Sequence, residues 1–202
     1  MPRKPRVVEG NQVYHVYNRR TDGQLLFPSS RAYDDFLHLM QVGSERYNAR
    51  ICAYCAMDTH WHQAIWARDR EAATDITKYL RWLSSTHAIR FRIWTGTRGL
   101  GHVYQDRYKS VLVTSEAHYF TLIRYIEQNP LVRQLVGRAE HWPWSSLAER
   151  LMARRGILSE GPFALPSDWI DIVNHRTPVE LAEDIPSYEH GGTEVTSRDG
   201  GS

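Results

Sequence analysis

The chain has 202 residues, 42% of them hydrophobic, with seven Trp and eleven Tyr, which suffices for one substantial core and argues against a disordered protein. There is no run of about 18 or more apolar residues, and the start Met-Pro-Arg-Lys-Pro-Arg has no apolar stretch, so no membrane span or secretory leader is expected and the default location is cytoplasmic. The net charge of +2 averages over a segregated chain: nine Lys or Arg against three acids from Lys78 to Arg133, but six acids against Arg198 alone from Pro178 to Ser202. A basic body with interleaved aromatics suits a phosphate backbone and unpaired bases.

After a basic arm (residues 1–12), Val13-Tyr14-His15-Val16-Tyr17-Asn18 alternates in the manner of a strand. Ser29 or Ser30 can cap a helix running to about Tyr47, with Tyr33, Phe36, Leu37 and Met40 on one face. Ile51 to Met57 and His60 to Trp66 read as an antiparallel hairpin turned at Asp58-Thr59. A long helix follows from Glu71 to about Trp94, where Ile76, Leu80, Leu83, Ile89 and Ile93 fall near helical spacing. It ends at the glycine-rich turn Thr95 to Gly101, and His102–Tyr104 and Lys109–Val113 suggest extended segments. Ser115 can cap a helix from Glu116 to Gln128, which the constraint of Pro130 on Asn129 is expected to stop. The order strand-helix-strand-strand-helix-strand, then a further helix, predicts a ferredoxin-like α+β sandwich with a central antiparallel sheet. A short helix around Ser146 to Arg154, an extension over 148–185 and a disordered tail over 186–202 complete the expected organisation.

Within the hairpin, His60 and His62 are two apart on a strand and so share a face, while Trp61 points the other way. Tyr125 and Asn129, four apart, share a helix face. If that helix packs against the histidine face, two imidazoles and an amide oxygen can hold Mg²⁺ or Mn²⁺ beside a phenol, with positions left open for a substrate oxygen. Cys52-x-x-Cys55 with His60 and His62 raises a zinc alternative. The four residues between the pairs fall far short of the zinc-finger spacing of about twelve, and Cys52 and Cys55 differ in strand parity, which predicts opposite faces.

Five segments in order resemble the single-tyrosine transposases with a His-hydrophobe-His motif, above all the REP-associated tyrosine transposases of bacteria. They are Tyr14 to Arg19, Ala53 to Met57 leading into His60-Trp61-His62, Gly101 to Ser110, Arg124 to Arg133, and Trp142-Pro143-Trp144-Ser145-Ser146. The resemblance runs from about Pro2 to Leu147 and places a transposase domain at 13–147. It implies a ferredoxin-like fold and cleavage and joining of single-stranded DNA beside small palindromic hairpins, dependent on Mg²⁺ or Mn²⁺, by a monomer or homodimer in the cytoplasm near the nucleoid. It assigns His60, His62 and Asn129 to the metal and Tyr125 as nucleophile. Arg107 and Lys109 are expected to contact DNA, and Arg3, Lys4 and Arg6 to help read a short guide sequence. Two departures stand out: Asp58-Thr59 replaces the usual Pro-Asn before the first histidine, with a turn role expected for Asp58, and the chain ends in an acidic, glycine-rich segment instead of a basic tail. A catalytically lapsed hairpin-binding protein and a rolling-circle-type nickase are the alternatives. The intact quartet His60, His62, Tyr125 and Asn129 speaks against the first, and the absence of room for a helicase or partner domain against the second.

Overall fold

The computed structural model describes residues 9–152 and 156–175. Arg3, Lys4, Arg6 and the acidic segment with its expected disorder lie outside the described residues. The elements are β1 (Gln12–Arg19), α1 (Ser30–Arg46), β2 (Arg50–Ala56), β3 (His60–Ala67), α2 (Arg70–Thr95), β4 (Lys109–Val113), α3 (Glu116–Val132), α4 (Ser146–Met152) and α5 (Trp169–Asn174). The strands form one sheet in the order β2-β3-β1-β4, with every neighbouring pair antiparallel. This is the ferredoxin-like α+β sandwich that the element order predicts. No helix among the described residues is long and apolar enough to cross a membrane.

Period-two alternation divides the core in two. Tyr14, Val16, Ile51, Tyr54, Trp61 and Ile65 pack with Phe36, Leu37, Tyr79 and Leu80 of α1 and α2 on one face. Val13, Ala53, Cys55, Ala64 and Val113 pack with Leu122, Ile123 and Ile126 of α3, and with Trp169 and Val173 of α5, on the other. Trp61 is fully buried on the α1/α2 side, as its parity predicts, and its indole donates to the Tyr104 hydroxyl (3.2 Å). Gly43 of α1 packs tightly against α2: a methyl group there would lie 2.7 Å from the Trp82 ring and 2.8 Å from the Tyr79 ring.

Local chemistry sets the ends of the long helices. Asp69 caps α2 by accepting from the Ala72 amide (2.8 Å), and α2 stops at Gly96, whose φ of 67° is the left-handed conformation glycine supplies without strain. Ser115 caps α3 through the His118 amide (3.1 Å). Contrary to expectation, α3 does not stop before Pro130 but runs through it to Val132. A proline in the last turn forfeits one amide donor, and burial of Ile126, Glu127, Gln128, Asn129 and Pro130 against the sheet and α5 holds the backbone helical.

Three further expectations are corrected. Ile89 and Ile93 are 60% and 52% exposed, because the buried line of α2 continues from Leu83 through His87 and Phe91. His102–Tyr104 is not a strand and contributes only an isolated bridge from Tyr104 to Arg20. Cys52 and Cys55 do not face opposite sides: the β2–β3 register shifts between Ile51 and Ala53, and this irregularity turns both thiols toward α3.

The segment Trp142 to Ser146 lies along the outer edge of β2, with Ala56 N–H donating to Trp144 O (3.0 Å), the Trp142 indole to Ala56 O (2.9 Å), and a bridge between Cys55 and Ser145. Beyond it, buried Glu149 accepts from the Tyr54 hydroxyl (2.6 Å) and the Ile157 amide (2.8 Å). α5 is tied to α3 through Gln128 Nε2, which donates to Val173 O (2.9 Å) and His175 O (2.6 Å).

Candidate active site

Sheet register brings the candidate residues together. Tyr17 of β1 stands opposite His62 of β3 and Arg19 opposite His60. Tyr17 also pairs with Lys109 of β4, and His62 with Cys55 of β2. Cys55, His62, Tyr17 and Lys109 therefore form one row across the face under α3, since directly opposed residues share a face. The His60 and His62 rings are 4.9 Å apart at 81°. The Tyr125 ring stands 5.5 Å from that of His62, also nearly perpendicular. α3 thus places the phenol against the histidine pair, and its continuation past Pro130 keeps Asn129 on the same face. Asn129 is 8% exposed, and its Nδ2 donates to the Tyr125 carbonyl (3.4 Å), an orientation that reserves Oδ1.

Each histidine is engaged through Nδ1. His62 Nδ1 lies 3.0 Å from Nε2 of His15, and His60 Nδ1 lies 3.0 Å from the Thr59 hydroxyl. Asp58 holds the turn, as expected, with Oδ1 accepting from the Thr59 amide (2.9 Å) while its carbonyl accepts from Leu26 N–H (2.7 Å). Burial dominates the electrostatics. It lowers His60 to about 4, helped by Arg133 and Arg19 and opposed by Asp58. It lowers His15 to about 3, helped by His118, and holds His62 well below the usual range, helped by His60 and His15. All three imidazoles are neutral at pH 7, the form a cation requires. Burial raises the Tyr125 phenol, opposed by the polar Asn129 side chain beside it and by the positive charge of Arg133.

The fit to a divalent cation rests on one atom. His62 Nε2 is buried and has no hydrogen-bond partner among the described residues. A buried polar atom left this way costs free energy unless something satisfies it. Two imidazole nitrogens and an amide oxygen are a donor set that can hold a divalent cation. No group of three His, Cys, Asp or Glu side chains among the described residues has the geometry of a metal cluster. That weighs against the four-ligand zinc reading, and the thiols are otherwise engaged: Cys55 Sγ contacts Met57 Sδ (3.5 Å), and burial pushes Cys52 up to about 12.

Beside the histidines, Tyr17, Asn18, Arg19, Gln105, Asp106, Arg107 and Lys109 line a cleft in which three basic residues face one acid. The loop that forms it is fastened to β1 by Gln105 N–H donating to Arg19 O (3.0 Å) and Asn18 Nδ2 to Asp106 O (3.3 Å). Lys109, the direct partner of Tyr17, therefore stands on the histidine side of the sheet, and Arg107 shares its cleft. Sequence reasoning missed two residues. Arg133 continues the four-residue spacing of Tyr125 and Asn129 and bears electrostatically on His60, His62 and Tyr125, a signal present in the spacing alone. His15 touches His62 and stands 6.1 Å, ring to ring, from Tyr125. Only strand register reveals it.

A ferredoxin-like sheet with a helix packed over its histidine-bearing face defines a fold class that serves many functions, and comparison with known proteins narrows it. The family model described as "Transposase IS200 like" matches residues 11–129, more than half of the chain. The chain belongs to the IS200-like transposase family. Among solved structures it is similar in fold to one described as a REP-associated tyrosine transposase bound to a REP hairpin, with a TM-score of 0.56 and 19% identity over 83% of this chain and 95% of that one. No curated protein sequence matches it.

Proposed function

We propose that the protein is a divalent-cation-dependent endonuclease and strand transferase acting on single-stranded DNA beside small REP-like hairpins, with Tyr125 as its nucleophile. The observation that carries this reading is the Tyr125 ring standing 5.5 Å from the ring of His62, whose buried Nε2 lacks a partner among the described residues. His60, His62 and Asn129 would hold Mg²⁺ or Mn²⁺, which when bound polarises the scissile phosphate. The DNA backbone docks on the basic cleft through Arg107 and Lys109, and the arm residues Arg3, Lys4 and Arg6 contribute to guide recognition. That the similar fold was solved with a REP hairpin supports the substrate class.

In the reaction the Tyr125 hydroxyl gives up its proton as Oη attacks phosphorus, the bond from phosphorus to the 3′ oxygen breaks, and that oxygen leaves to become a 3′-hydroxyl. The 5′ end remains esterified to Tyr125, and attack by another 3′-hydroxyl reverses the step and joins strands. Because burial raises the phenol, the neighbouring Asn129 side chain and the charge of Arg133 matter: both favour the phenolate. Glu127 is not the base, since it is fully buried on another face of α3 and accepts from Ser146, Arg150 and Trp169.

The test is a denaturing-gel assay for a covalent protein–DNA adduct, with labelled hairpin-containing single strands, Mn²⁺ or chelator, and the Tyr125→Phe variant. A metal-dependent adduct absent from the variant is expected. Tight hairpin binding without adduct would point to a lapsed binding protein, and an adduct surviving in the variant would move the nucleophile to another tyrosine.

A further inference from the structure

We infer that His15 is a positioning residue that fixes the tautomer of His62, so that Nε2 of His62 is left unprotonated for a cation; the inference rests on the proposed metal role of His62. The contact is a single one, Nε2 of His15 to Nδ1 of His62 at 3.0 Å, between fully buried rings stacked 5.2 Å apart at 24°. Two neutral imidazoles facing each other through one nitrogen each share one proton, and two arrangements exist. If His15 donates, His62 must carry its own proton on Nε2, and that atom has no lone pair to give. If His62 donates through Nδ1–H, His15 is the acceptor and His62 Nε2 keeps its lone pair. Only the second arrangement makes the unpartnered Nε2 of His62 useful to a cation.

A packing role alone does not account for His15. Its second nitrogen, Nδ1, is buried without a partner among the described residues, so an apolar residue of similar size would fill the space at lower cost. Register places His15 two residues from Tyr17, the direct partner of His62, and this diagonal brings the two rings into contact. Contacts with Tyr17 (4.9 Å) and Tyr125 (6.1 Å) hold the His15 ring beside both the candidate ligand and the candidate nucleophile. The second histidine of the pair is engaged in the same sense, through Nδ1 by the Thr59 hydroxyl. An acceptor at the far nitrogen of a metal-binding imidazole is a recurrent means of fixing ring and tautomer.

The direct test needs no metal. Long-range ¹H–¹⁵N NMR of the metal-free full chain should show His62 protonated at Nδ1 and bare at Nε2. The reverse tautomer overturns the inference whatever the protein does with DNA. Mn²⁺ affinity, read by electron paramagnetic resonance, should fall by about 10–100-fold in His15→Phe and recover in His15→Gln, whose amide oxygen can accept in place of Nε2. Thermal unfolding of each variant reports whether it is folded. A folded His15→Phe variant with unchanged affinity and unchanged His62 tautomer refutes the inference. Should the wild type bind no Mn²⁺ in a manner lost in His62→Ala, the metal reading fails, while the tautomer measurement still decides the His15–His62 relationship.

Discussion

Replacing Glu127 with alanine should destabilise the protein by about 3–5 kcal/mol without removing any group that touches substrate. Glu127 is fully buried, and its carboxylate is the acceptor for three donors: Ser146 Oγ at 2.5 Å, Arg150 Nε at 2.9 Å and Trp169 Nε1 at 2.7 Å. These come from α4 and α5, so one side chain fastens both C-terminal helices to α3. In the alanine variant Arg150 keeps its bond to Cys52 O (2.6 Å), but the guanidinium loses its counter-charge and two buried donors lose their acceptor. Breaking one side of a buried ion pair costs about 3–5 kcal/mol, and orphaned donors add to this less than additively. Against a total of about 5–15 kcal/mol this is a large fraction, measurable as a shift in the urea midpoint at unchanged slope. Glu127→Gln, which keeps an acceptor but not the charge, should cost less and should form the DNA adduct normally per folded molecule. A loss below about 1 kcal/mol in Glu127→Ala would refute the latch. A well-folded Glu127→Gln variant unable to form adduct would show that the carboxylate takes part in the chemistry.

Gly43→Ala would gain about 1 kcal/mol of helix propensity on an open surface, but here the methyl meets the Trp82 and Tyr79 rings at 2.7 and 2.8 Å, and Tyr79 is fixed by its bond to Gln63 (3.0 Å). Net destabilisation of about 1–3 kcal/mol is expected by urea unfolding, and a stabilised variant would show that α1 and α2 separate freely. Burial holds His15 and His87 at about 3, His60 at about 4 and His62 well below the usual range. The unfolded chain takes up protons on these groups below about 6.5, so the unfolded state binds more protons and stability falls as pH drops from about 6.5 toward 4, by up to about 1.4 kcal/mol per pH unit for each histidine. An unfolding midpoint unchanged between pH 7 and 5 would contradict this. Alanine at Arg107 and at Lys109 should weaken hairpin binding and flatten its log–log salt dependence by about 0.7 for each single-strand phosphate that is no longer neutralised. An unaltered salt slope in filter binding would remove the cleft from the docking surface.

The parts of the fold that sequence reveals are those with a local cause. The β3 alternation places Trp61 on the α1/α2 side and His60 and His62 on the other because strand parity acts within three residues. Gly96, in the glycine-rich turn, and Ser115 mark helix ends through hydrogen bonds to their own neighbourhood. What misled or stayed silent depends on distant partners. Pro130 has a local preference that burial of the last turn of α3 overrides. Cys52 and Cys55 share a face because β2 slips against β3 between Ile51 and Ala53, and a single irregularity inverts every parity argument on one side of it. The short helix α5 lacks the length for a recognisable period, and its Trp169 is placed by Glu127, 42 residues away.

The same division runs through the candidate site. Its candidate ligand and nucleophile groups, His60, His62, Tyr125 and Asn129, are legible from spacing, since two residues on a strand and four on a helix each define a face. The groups that hold them were not. His15 lies 47 residues from His62 and meets it only through the β1–β3 register. Thr59, which departs from the usual residue at its position, becomes informative once its hydroxyl is found at His60 Nδ1. The orientation of the histidine pair is therefore written in the pairing of the two central strands, so a one-residue slip of β1 against β3 would leave all four candidate residues in the sequence and still disable the site. Substitutions in β1 that preserve burial but disturb register should cost Mn²⁺ affinity before they cost stability, and the opposite order would show that the histidines orient themselves.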